Sequence, residues 1–216
     1  MPGYASVQCF LAEEVGTRAY LRVFWGDSGR KDCLVHGYHD AHVLIGESDR
    51  PRDWSFGGRP ETYPDEQWPT ACDHCGAPVP PISPNGPTRQ VFRNKLYRAN
   101  GRLYTPPDNG YGDRLPPGAM FWADWHEHDG RCSSWDDCGG LHLHVVLPNG
   151  AVWDVDGRAS NCDMPQDRKH RCWRRHGEVP MITVDKAGGP TCHAGAGSIA
   201  SGDYHGFLQN GWLTAG

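Results

Sequence analysis

The sequence predicts a β-dominated fold, all-β or α+β with little helix, built as a single loop-rich domain of antiparallel hairpins over 1–216. Three observations carry this. Asn-Gly pairs occur at Asn100-Gly101, Asn149-Gly150 and Asn210-Gly211, each between β-forming runs. Asn-Gly suits a tight hairpin turn because such turns need positive φ at their central residues. Residues 141–147 alternate, with Leu141, Leu143, Val145 and Leu147 on one face and His142 and His144 on the other. The third observation is composition: 28 glycines and 18 prolines among 216 residues, about a fifth, disfavour long helices.

Element by element, Ala5 to Leu11 and Ala19 to Trp25 read as strands joined by a turn at Glu14-Val15-Gly16-Thr17. Arg50 to Gln67 and Pro78 to Pro87 read as surface loops, dense in Pro, Gly and charge. Pro64 to Trp68 fits a short helical turn. Thr88 to Leu96 fits a helix or a strand. Lys95–Arg98 and Arg102–Tyr104 flank the first Asn-Gly pair, and Leu141–Leu147 and Ala151–Val155 the second. Tyr204–Leu208 and Trp212–Thr214 flank the third. No internal repeat is visible, and a soft boundary falls near 78–88.

Composition limits the function classes. The balance of 21 Lys+Arg against 26 Asp+Glu leaves −5, which excludes a generally basic nucleic-acid coat. Leu, Ile, Val and Phe make only about a sixth of the chain, within the range of disorder. The small net charge opposes that reading, and 9 Trp, 8 Tyr and 6 Phe supply buried area instead. A thin aliphatic core of this kind invites a structural metal. The first residues have neither a basic nor an apolar signal region, and no apolar run reaches membrane-spanning length. The expectation is therefore a protein of reducing cytosol, without membrane association, whose 9 cysteines serve as metal ligands or buried thiols.

The strongest local motif is Cys72-Asp73-His74-Cys75-Gly76. In a Cys-x-x-Cys-Gly knuckle the turn aims two thiolates at one ion, and glycine permits the left-handed backbone that follows. This predicts a structural zinc site at Cys72 and Cys75. Cys132 and Cys138 are the first choice to complete it, and Cys33 with His36 the competitor. Unpartnered thiols and a redox pair are the other accounts, and the βαβ context a thioredoxin-type pair requires is absent.

Cys162, His170, Cys172 and His176 form a second, weaker candidate site, set in the basic stretch Arg168, Lys169, Arg171, Arg174 and Arg175. Positive surroundings depress a thiol pKa but repel a cation. The same run, 168–175, with Trp173 inside it, also suits phosphate or base contacts, hence a nucleic-acid-binding alternative. The blander account is a solvated basic face paired with acidic residues. Cys162 near His170 and His176 also fits a Cys–His nucleophile.

His126-x-His128 and His142-x-His144 offer paired imidazoles, because i and i+2 on a strand point the same way. With Asp124, Glu127 or Asp129 they would found a metal-dependent hydrolase. The ordinary account places these histidines on the wet face of a hairpin. No phosphate loop, dinucleotide fingerprint or nucleophile elbow is present.

Finally, residues 153–162 (Trp-Asp-Val-Asp-Gly-Arg-Ala-Ser-Asn-Cys) resemble a pattern in an uncharacterised family of bacteriophage and environmental phage-like proteins. So do His170-Arg171-Cys172-Trp173, then Arg175 to Glu178, and the ending Ala194 to Ile199 with Tyr204 to Leu208. The resemblance is strongest over 118–216. It implies phage origin, a place in the virion or the infected host's cytoplasm, and partners among other phage proteins or further copies of the chain. It implies no activity.

Overall fold

The computed structural model describes residues 3–26, 33, 37–53, 59–83, 86–106, 113–123, 141–157, 162, 172–186 and 197–216. Strand dominates. The two helical segments among these residues are 3-10 turns, Pro60–Thr62 and Asp65–Gln67. The chain forms two compact units, one of residues 15–96 and one of 1–14 with 97–216. Their borders fall inside strands β3 (Glu13–Trp25) and β5 (Thr88–Ala99).

In the 15–96 unit, β3 and β4 (His39–Ser48) form a long antiparallel pair from Thr17↔Ser48 to Trp25↔His39. One irregularity beside Ala19/Tyr20 leaves Ile45 unmatched, a bulge in β4. β5 lies on the other side of β3, so β4 is the outer strand. No turn forms at 14–17, because β3 runs straight through. Gly16 serves another end there: a Cβ would overlap the Ser48 carbonyl oxygen, so glycine lets the two backbones meet. Thr88 to Leu96 is strand, as its β-branched and aromatic residues allow.

In the larger unit, β6 (Arg102–Tyr104) returns on the end of β5, with Asn100 at φ 50 and Gly101 at φ 74 in the turn. One sheet has the order β2 (Phe10–Leu11), β7 (Ala119–Ala123), β8 (His142–Val146), β9 (Val152–Asp154). Its β2–β7 pair is parallel and the others antiparallel. A second sheet joins β1 (Val7–Gln8), β14 (Trp212–Ala215), β13 (Tyr204–Gln209) and β12 (Ile199–Ser201). The β13–β14 turn again has positive φ at both residues, 48 at Asn210 and 73 at Gly211. β10 (Arg174–His176) and β11 (Thr183–Asp185) make a separate antiparallel pair.

The period-2 pattern of β8 is confirmed, but its second face is not wet. Leu143, Val145 and Leu147 enter a core shared with Leu208, Leu213 and Trp173. Val146 joins Phe121, Ala119, Ala123 and Tyr97 on the opposite face. His142 and His144 lie on that face too, 2% and 3% exposed, and His144 stacks on Phe121 at 5.6 Å. Leu141 is less buried than either histidine. An inner strand covered on both faces buries all its side chains, and alternation alone does not reveal the second cover.

Candidate metal centre

Residues 70–79 fold back as a small hairpin whose tip is the knuckle. Val79 N donates to Thr70 O at 3.0 Å, Cys72 N to Ala77 O at 2.7 Å and Gly76 N to Cys72 O at 2.9 Å. Gly76 has φ +73, the conformation the motif demands. The tip docks on the outer edge of β4 at one residue. Asp73 N donates to Asp40 O at 2.8 Å, and the Asp40 amide donates to the Cys72 sulfur. Asp40 can serve both because, among the described residues, no strand pairs with that side of β4.

β4 also delivers a ligand. His39 opens the strand opposite Trp25, and the two rings stack at 5.1 Å with planes 22° apart. Upstream, Cys33 is tied to Gly37 through the backbone. Gly37 N donates to Cys33 O at 2.7 Å, and Gly37 adopts φ +83. Cys33, His39, Cys72 and Cys75 thereby converge, with one donor atom from each lying within 4.8 Å of all the others. The Cys75 sulfur stands 3.3 Å from His39 Nδ1. Cys33 and Cys72 are buried, His39 is half-buried and Cys75 is exposed.

This donor set fits a tetrahedral ion. Ligands at about 2.1–2.3 Å from zinc are separated from one another by roughly 3.5–3.8 Å, so a small contraction closes the group around a metal. The electrostatics favour a cation. Burial pushes the Cys72 thiol up, but amides of Asp40, His74 and Cys75, with His39, overcome it and bring the thiol down to about 6. At Cys75 the Ala77 amide works downward, yet desolvation and the neighbouring Cys72 and Cys33 sulfurs leave that thiol raised. Crowded thiols of this kind are relieved by a divalent ion.

Behind the knuckle runs a polar chain. His42 Nδ1 is 2.8 Å from Asp73 Oδ2, and its Nε2 is 3.4 Å from Asp40 Oδ1. Arg22 grips the Asp40 carboxylate at 2.9, 3.1 and 2.6 Å and donates to the Tyr38 hydroxyl at 3.2 Å. Burial holds the His42 pKa below its ordinary value, against the pull of Asp73 and Asp40.

Cys132 and Cys138 lie outside the described residues, as do His36, His126, His128 and His170. Cys172 sits fully buried in the larger unit's core with Cys162 against its margin, and His176 is exposed, 2.7 Å from Asp185. Among the described residues, no ion-holding group includes Cys162, Cys172, His176, His142 or His144. His142 is 3.2 Å from Asp154. In the basic run, Arg175 binds the buried Asp156 at 2.9 Å and lies over the Trp122 ring at 5.4 Å. Burial pushes the Asp156 carboxyl up, opposed by Arg175 and the Leu143 amide.

His39 was not among the ligands read from the sequence. Its only signal was a histidine a few residues beyond Cys33, and strand register decides which histidine reaches the knuckle. No family model, curated protein or solved structure matches this chain. No helix among the described residues is long and apolar enough to cross a membrane.

Proposed function

We propose that this chain is a zinc-stabilised accessory protein, encoded by a phage-like genome, that acts by binding other proteins in a virion or an infected cell. The observation that carries the reading is the Cys33, His39, Cys72 and Cys75 cluster. Three thiols and an imidazole suit zinc, and four protein donors leave no open position for water or substrate. A closed site stabilises rather than catalyses. The phage origin rests on the sequence resemblance over 118–216. The hydrolase alternative has less support, because His142 and His144 are buried, His144 stacked on Phe121.

Elemental analysis of protein purified from zinc-supplied cells tests the reading. One zinc per chain is expected, lost in Cys33→Ser and Cys72→Ser and kept in Cys132→Ser. Chelation should lower the unfolding temperature, because structural metal binding adds to folding free energy. Protein without zinc, or zinc lost in Cys132→Ser but kept in Cys33→Ser, would refute it.

A further inference from the structure

The four donors differ in access to solvent. Cys33 and Cys72 are 1% and 3% exposed, whereas Cys75 is exposed. Cys72 and Cys75 also stand three residues apart in one turn, closed by Gly76 N to Cys72 O at 2.9 Å. The first and last residues of a four-residue turn have Cα atoms within about 7 Å of each other. A disulfide accepts Cα separations of roughly 4.4–6.8 Å, so this pair can be bridged with the backbone in place. The sulfurs already lie within 4.8 Å. When zinc is bound the Cys75 sulfur is a thiolate because the ion holds it so, and it is the accessible one, with the protected Cys72 beside it to resolve.

Resting on the metal reading above, we propose that the centre is a peroxide-responsive switch that releases its zinc by closing Cys72 and Cys75 into a disulfide. The Cys75 thiolate attacks one oxygen of hydrogen peroxide. The O–O bond breaks, hydroxide leaves and is protonated to water, and Cys75 becomes a sulfenic acid. The Cys72 thiolate attacks that sulfur, the S–O bond breaks, and the second oxygen leaves as hydroxide to become water. One peroxide and two protons are consumed. The two sulfurs lose two electrons, peroxide gains them, and two waters form. Only Cys33 and His39 then remain as donors, and two ligands do not keep zinc from water. A dithiol reductant restores both thiols and the site.

The knuckle's anchors give this change a direction. Asp73 is fastened to Asp40 through the backbone and to His42 through its side chain, so the turn keeps its place on β4 as the ion leaves. The bridged form is then a folded, metal-free protein ready to be reduced, and what changes is the hold on Cys33 and His39. Cys33 and His39 are then no longer joined to the knuckle through the ion.

The experiment uses zinc-loaded full-length protein, sub-stoichiometric hydrogen peroxide, a chromogenic zinc indicator and differential alkylation with peptide mapping. Released zinc should rise one-for-one with the Cys72–Cys75 disulfide, and dithiothreitol plus zinc should reverse both. Cys75→His, which keeps four donors, should hold its zinc and release it at least tenfold more slowly at the same dose. Zinc retained while Cys75 is oxidised would overturn the switch. So would release with Cys75 driven to sulfinic acid, or a disulfide mapped to another pair. These outcomes leave the metal reading standing, whereas protein that never carries zinc overturns both.

Discussion

Replacing His42 by alanine isolates the contribution of the polar chain behind the metal centre. The imidazole is not one of the four donors. It bonds Asp73, the residue after Cys72, at 2.8 Å, and its side chain is 4% exposed. Burial keeps it neutral near pH 7, so the bond is a neutral donor to a carboxylate that is 36% exposed. Such a bond contributes about 1–1.5 kcal/mol, and the lost packing of the ring adds roughly another 1 kcal/mol to the cost in stability. Only the first part can reach the metal. Without the latch the metal-free knuckle samples open states, and zinc must close them. If those states are absent from the native protein, the whole bond sets the ceiling, which is about tenfold in affinity. Competition against a chromophoric chelator is expected to show zinc held up to about tenfold more weakly in His42→Ala. His42→Gln, which can still donate to Asp73, should recover most of the loss. A change of less than about twofold, with stability nonetheless reduced, would refute the positioning role. A loss beyond about a hundredfold would refute it the other way, by making His42 a ligand.

Other outcomes are equally specific. His42 is kept below its ordinary value of 6.5, so its neutral form favours the fold. That contribution is complete above about pH 6.5 and is lost as pH falls, and chemical denaturation of metal-free protein should lose this slope in His42→Gln. Leu143→Ala, at a fully buried inner strand, should cost roughly 3 kcal/mol in thermal or urea unfolding. Met181→Ala, at a side chain 51% exposed, should stay within about 0.5 kcal/mol of wild type, and equal costs at the two sites would contradict the core described here. In Gly206→Ala the new methyl overlaps the Thr214 carbonyl and the Tyr204 ring, which normally bond each other at 3.1 Å. The overlap should cost at least about 2 kcal/mol, and an unchanged melting temperature would show that β13 and β14 do not meet in this register.

What was legible in the chain is what local chemistry decides. The Asn100-Gly101 and Asn210-Gly211 turns have positive φ at both residues, and Gly76 is left-handed after the knuckle, because each conformation is set by its own residue type. Where a glycine answers to a neighbour instead, the local reading fails: Gly16 accommodates the Ser48 carbonyl and makes no turn. The same limit runs through the metal centre. Two of its ligands sit inside one turn and announce themselves by spacing. The other two depend on the pairing of Trp25 with His39 and on the edge of β4 that receives Asp73. A one-residue slip of β4 would turn His39 to the other face and remove it from the site. The β8 histidines make the complementary case. Their alternation is correct, but whether a face meets water depends on β7, which places Phe121 and Ala123 opposite His144 and His142. Register carries both results, so a variant that shifts the β3–β4 pairing should abolish metal binding with every cysteine still present.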